Sequence, residues 1–363
     1  MNSEKFFGIT DNTLFICIVF LSFFGLVLLY SATNQNIDVV FRQGSRLIFC
    51  FVLMFLISFV DINKIKSMSP YVYLLCILML IVTLLWGHDV KGAKRWIVFF
   101  GFSFQVSEIL KIIVPMTLAW YLSLSEDKEI DLKKLIISFS IIFAPILFVI
   151  KQPDLGTSLI ILLCGVITIF LGGITKKHII YLLTLFSFAI PIMWKFILLP
   201  YQKQRIMTLF DPNLDPLGSG YHIIQSKIAV GSGGLFGKGF LKGTQSYLEF
   251  LPEKHTDFIF TLFSEEFGFI GSAFLLIIYA IIIYRIVAIG ATSRSFFAKI
   301  FCYSFGAAIF VFITINMSMV LGLLPIVGSP LPIMSYGGSS MLATMVGFGI
   351  VMSAKVHSQQ SIA

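Results

Sequence analysis

Three short stretches place ionisable side chains at the edges of apolar runs. In "FSFQVSEILKI", Glu108 and Lys111 stand three residues apart, which puts a carboxylate and an ammonium on one helix face where they can pair. In "KQPDLGTS", Asp154 occupies a very short connection between two apolar runs. In "LPEKHTDFIF", Glu253, Lys254, His255 and Asp257 crowd the entrance to another. Such carboxylates can take up a proton and such an ammonium can meet an anion, provided that the fold brings them together.

The elements that must do so are membrane spans. The chain has 363 residues, 58% of them hydrophobic and 12% charged, with 39 phenylalanines, and its mean hydropathy is +0.95. That balance excludes an ordinary soluble domain. Apolar runs long enough to cross a bilayer begin near residues 12, 47, 68, 106, 134, 157, 178, 258, 297 and 331, about ten in all. The run near 47–60 is short, so it is tilted or starts earlier, and nine spans is the other reading. The expected fold is an all-α polytopic bundle, a single membrane domain over 1–363, with one large loop at about 200–257. The first run lacks a basic flank and a small-residue cleavage site, so it reads as a retained helix. The five cysteines fall inside apolar runs without CxxC spacing and read as core residues.

The net charge of +8 is mostly topological. With the amino terminus inside, the short inward loops carry roughly twelve basic residues and the outward ones roughly six, as the retention of basic loops requires. Both termini are then cytoplasmic, and no basic-aromatic pattern for nucleic acid stands out. The same topology puts Glu108, Lys111, Asp154 and Asp257 at the outer side. A lone boundary carboxylate is usually a solvated anchor, and Glu108 with Lys111 could simply tie helices, but together the group suggests a polar cavity open to the outside. Arg95 and Trp96 lie just upstream of Glu108 and also suit an interfacial belt. In "SPLPIMSYGGSS", Ser335 and the glycines at a helix start could receive an anionic group. Glu265 and Glu266 fall deeper in the eighth run, where they must pair, protonate or line water.

The large loop holds Asp-Pro turns, a short amphipathic helix at about 221–230, and "GSGGLFGKG". The last is not a phosphate loop: Ser232 stands where the first glycine belongs and Gly239 where Ser or Thr must follow the lysine.

The ordered blocks "GAKRWI", "FQVSEILKI", "QPDLGTSLI", "FDPNLDPLGSGYHIIQSKIAVGSGGLFGKG", "LPEKHTDFIF" and "SPLPIMSYGGSS" resemble the SEDS family (shape, elongation, division and sporulation) over nearly the whole chain. "GYHIIQSKIAVGSGGLFGKG" followed by "GTQS" looks more like the cell-elongation branch, RodA, than the division branch, FtsW. One departure is Val106, where the family usually has proline; it implies a changed helix entry and leaves Glu108 and Lys111 in place.

The resemblance implies a peptidoglycan glycosyltransferase of the cytoplasmic (inner) membrane that polymerises lipid II at its outer face for elongation and rod shape. It also implies a class B penicillin-binding protein and the elongation machinery as partners. The family's catalytic aspartate corresponds to Asp257 and its important tryptophan to Trp96. The reaction is inverting: a sugar hydroxyl attacks C1 of a second unit and expels undecaprenyl pyrophosphate. Asp257 is the expected base, with Glu108 second; Lys111 is the expected cation for the leaving group, oriented by Glu108 and helped by Arg95 and Lys254. Asp154 would hold the loop or the sugar, and His255 would tune the base or bind substrate. No clustered ligand motif compels a metal, so a divalent cation such as Mg2+ would come mainly with the substrate. Two rival readings remain at this level, a lipid II flippase and a non-catalytic scaffold for the penicillin-binding protein.

Overall fold

The structure, a computed structural model, describes residues 11–90, 93–99, 102–124, 130–216, 218–244 and 255–358. The chain rises through α1 (Asn12–Ala32), α2 (Ile37–Ser58) and α3 (Ile62–Trp86), then makes a small antiparallel sheet of β1 (His88–Val90), β2 (Ala93–Phe99) and β3 (Phe102–Phe104). It continues through α4 (Val106–Leu122), α5 (Leu132–Lys151), α6 (Leu155–Leu171) and α7 (Lys176–Ile192), the last extended by a π turn, Met193–Ile197. The large loop contains α8 (Pro200–Phe210) and α9 (Ser219–Ser232), and the chain ends with α10 (Ile259–Thr292), α11 (Phe296–Val320) and α12 (Gly338–Val356).

Among the described residues, setting α8 and α9 aside leaves ten span-like helices, and seven of them are long and apolar enough to cross a membrane by length and composition alone. The short second run is resolved: α2 begins at Ile37, ten residues before its most apolar part, with Asn36 accepting from the amides of Asp38 and Val39. Side-chain caps recur: Asp11, Asp61, Asp131 and Ser295 each accept from an amide in the first turn of α1, α3, α5 and α11. The sheet was not anticipated. Trp96, Ile97 and Val98 in β2 carry the β-branched and aromatic pattern that strands favour, in a connection too short and polar to have been weighed as one.

Helices α4, α11 and α12 form the interior, buried along most of their length, whereas α2 presents much of its apolar surface outward. Helix α10 is the exception to regularity. At 34 residues it is too long for one crossing, and it breaks at Gly268, where φ is 67°. The stretch after the break, about 36 Å long, is sufficient to span alone. Breaking a helix orphans amides and carbonyls on both sides, and here the glycine-rich segment of the loop supplies their partners. Lys238 N donates to Glu265 O and Gly239 N to Glu266 O, while Phe269 N and Ile270 N donate to the carbonyls of Gly234 and Leu235, all at 2.9–3.1 Å. Gly237, at φ 81°, passes so close that a Cβ would lie 2.1 Å from Glu266 O. "GSGGLFGKG" is therefore a backbone splint.

Candidate active site

A cavity of about 720 Å³ opens at the end of the bundle where α4, α6, α10 and α12 begin. It is lined by Glu108, Asp154 and Asp257, with Arg95 and Trp96 from β2. The loop adds Tyr201, Arg205 and His222, the turn before α12 adds Tyr336, and the first turn of α12 adds Ser339 and Ser340.

Asp257 is presented by a turn whose backbone is pinned at three successive carbonyls. His255 O accepts from Tyr336 N at 2.9 Å, Thr256 O from Ser335 Oγ at 2.7 Å, and Asp257 O from Asn316 Nδ2 at 2.8 Å. Asn316, fully buried in α11, also donates to Ser329 O at 2.7 Å and so joins the two chain segments that flank the aspartate. Holding a reacting group through fixed backbone removes conformations that would otherwise have to be frozen during the reaction. Asn316 was not singled out from the sequence; a lone buried amide in an apolar helix is its only signal, and that signal does not say which segment it serves.

Opposite lies Asp154. Its Oδ1 accepts from Thr157 N at 3.3 Å, capping α6, and its Oδ2 accepts from Gln105 Nε2 at 3.1 Å. Gln105 N in turn donates to Ser339 Oγ at 2.9 Å, so the entries of α4, α6 and α12 are linked. Arg95 ties β2 to the same loop, donating to Gln152 O at 2.8 Å and Pro153 O at 2.6 Å. Of the two roles open to Asp154, these contacts serve the holding of the loop. Tyr201 reaches in from α8, its hydroxyl donating to Pro153 O at 3.0 Å.

Three expectations change. Lys111 lies three residues beyond Glu108, about 4.5 Å deeper along α4, and does not line the cavity. Its ammonium sits 2.7 Å from Glu108 Oε1 and over the Phe312 ring, with both side chains nearly buried. Ser335 is buried, its hydroxyl consumed by Thr256 O and by Leu331 N, so it shapes the turn and does not face a ligand. His255, half-buried, packs its ring against Tyr336, centroids 5.7 Å apart, and does not itself line the cavity. Lys254 and Glu253 lie outside the described residues. Glu265 and Glu266 serve the splint: Glu265 pairs with Lys238 at 2.8 Å, and Glu266 accepts from Ser31 and from Leu241 N. Among the described residues, no group of three or more His, Cys, Asp or Glu side chains is arranged to hold a metal ion.

Arg205, Tyr201 and His222 were not anticipated as site residues. The loop that bears them was marked as functional by its length, but which of its faces turns inward depends on α8 and α9 docking over the cavity.

The family model described as "Cell cycle protein" (FtsW, RodA, SpoVE) matches residues 11–360. The chain is 42% identical to the peptidoglycan glycosyltransferase MrdB of Escherichia coli (strain K12), covering 96% of this chain and 94% of that protein. It is 30% identical to the peptidoglycan glycosyltransferase RodA of Treponema pallidum (strain Nichols), covering 94% and 96%. Its fold is similar to that of a chain solved in a study of how a peptidoglycan synthase complex coordinates polymerization and crosslinking, with TM-score 0.84, 25% identity and coverage of 97% and 99%. With a family model matched over nearly its full length, and relatives this close along their whole extent, the chain belongs to the FtsW/RodA/SpoVE family of multi-pass membrane proteins.

Proposed function

We propose that this protein is a peptidoglycan glycosyltransferase that joins lipid-linked disaccharide units, lipid II, into glycan strands for cell elongation. The observation that carries the reading is Asp257, a carboxylate on a pinned turn, lining a cavity of about 720 Å³ whose wall mixes charged and apolar side chains at the end of an apolar bundle. Sugars and diphosphate occupy the cavity while the polyprenyl tails remain among the helices. The cavity faces the extracytoplasmic side, both termini are cytoplasmic, and a class B penicillin-binding protein is the partner that crosslinks the product.

In the reaction, the acceptor hydroxyl of one unit attacks the anomeric carbon of another. An alcohol is a weak nucleophile at neutral pH, and the Asp257 carboxylate takes its proton as the bond forms. Glu108 lines the cavity floor and, through its pair with Lys111, supplies a rigid wall. Trp96 offers a ring face for a sugar, and Arg95 keeps the Asp154 loop in register.

The test is reconstitution of the full chain with its class B partner and purified lipid II. Glycan polymer is expected from the wild type, and Asp257→Asn should lower its rate by about 100-fold or more with complex formation unchanged. Polymer made equally by Asp257→Asn would remove the aspartate from the mechanism. Translocation of labelled lipid II with no polymer would instead favour a flippase.

A further inference from the structure

Glycosyl transfer of this kind leaves one additional negative charge on a departing diphosphate, and a cation must stand where that charge appears. Among the described residues, the cations lining the cavity are Arg95 and Arg205. Lys111, beneath the floor, is compensated by Glu108 and only 5% exposed, so a diphosphate would have to compete with a buried pair for it. Arg95 has two guanidinium nitrogens committed to the carbonyls of Gln152 and Pro153.

Arg205 is arranged differently. Helix α8 begins at Pro200 and places Tyr201 and Arg205 four residues apart on the face that meets the cavity. The guanidinium rests over the Tyr201 ring, 5.9 Å from its centroid, and that ring is itself anchored to Pro153 O. A single nitrogen, Nη1, donates to Ile326 O at 3.3 Å. Two residues further along the same segment, the position of a Cβ on Gly328 lies 3.5 Å from Asp257 Oδ2. The guanidinium and the aspartate thus approach the same short segment, at positions two residues apart, and both line the one cavity. A second cavity of about 300 Å³ adjoins the first and shares Tyr201, Arg205, His222 and Ile326 with it. Arg205 therefore lines both spaces.

We propose that Arg205 is the diphosphate-binding catalytic residue of this cavity, the role that the sequence assigns to Lys111. The acceptor oxygen bonds to C1 and its proton passes to Asp257. The C1–O bond breaks with its electron pair retained by the diphosphate, whose new charge develops against the guanidinium fork. This inference rests on the glycosyltransferase reading, and the experiment separates the two.

Full-length wild type, Arg205→Ala, Arg205→Lys and Lys111→Met are purified with the class B partner. They are compared for polymerisation of lipid II and for binding of undecaprenyl diphosphate in micelles, with melting temperature as the check on folding. Arg205→Ala is expected to lower kcat by about 100-fold or more, as removal of a transition-state donor does, and to weaken diphosphate binding about 10-fold. Arg205→Lys should fall between it and the wild type, because it keeps the charge and loses the fork, and it serves if the alanine variant does not fold. Diphosphate affinity unchanged in both Arg205 variants overturns the proposal, as does a loss of affinity in Lys111→Met that they do not share. A wild type that binds the diphosphate but makes no polymer would sink the underlying reaction, while the binding arm still decides whether Arg205 holds the anion.

Discussion

Glu108 and Lys111 show what a residue pair discloses by spacing alone. That they pair was legible from three residues of separation on an apolar helix; that the ammonium lies below the cavity lining was not, because helical spacing sets the face and not the depth of neighbouring helices. The pair is buried, 5% and 9% exposed at the side chains, and removing one partner strands a charge. Glu108→Leu or Lys111→Met is therefore expected to lower stability by about 3–5 kcal/mol, whereas the double change Glu108→Leu with Lys111→Met should recover most of that loss. Thermal unfolding of the four proteins in one detergent checks it: additive losses would show that the two groups do not depend on each other. Ser335 and Asn316 carry the same lesson. Their hydroxyl and amide are spent on the carbonyls of Thr256 and Asp257, and residue type gives no indication of which carbonyl a donor will find.

At the scale of elements, helices were legible and their interruptions were not. Apolar length located the spans to within a few residues, except that α2 begins at Ile37, behind its Asn36 cap, ten residues before the apolar run that marked it. The break in α10 has a weaker signature, one glycine in a long run, and its partner lies some thirty residues upstream in the loop. The splint predicts that Gly237→Ala is disruptive, because the backbone there is at φ 81° and the added carbon would meet Glu266 O. A loss of at least about 1–3 kcal/mol is expected, with faster proteolysis in the glycine-rich segment than in the wild type. Ala substitution at Gly231, where a Cβ meets nothing within 4 Å, is the control and should change little. Equal effects at the two positions would mean that the segment does not splint the helix.

At the scale of the whole molecule, the end opposite the cavity is closed by a long-range ion pair. Asp11, at the start of α1, accepts from Arg285 near the end of α10 and from Leu14 N. Burial by itself raises the Asp11 carboxyl, but the hydrogen bonds from Arg285 and Leu14, with the charges of Arg285 and Lys355, outweigh it and hold the pKa below its ordinary value of 3.8. A carboxyl lowered in the folded state contributes its stability in full above its unfolded pKa, and loses it as pH falls through the lower, folded value. The melting-temperature difference between wild type and Asp11→Asn should accordingly stay constant from pH 9 to about 5 and shrink only below about pH 4. A difference that varied around neutrality would contradict this assignment.

The sequence by itself determined that the chain is a polytopic helical membrane protein, roughly how many spans it has, and which carboxylates stand at span ends. These follow from local quantities: apolar length, capping residues and the cost of charge in hydrocarbon act on each segment separately. Tertiary structure alone decided that Asp257 rests on a turn pinned by α11 and the segment before α12, that Lys111 lies under the floor, and that Arg205 closes the wall. Each of these depends on how far one helix reaches past another and on where a loop folds back, and those are properties of packing between segments distant in the chain.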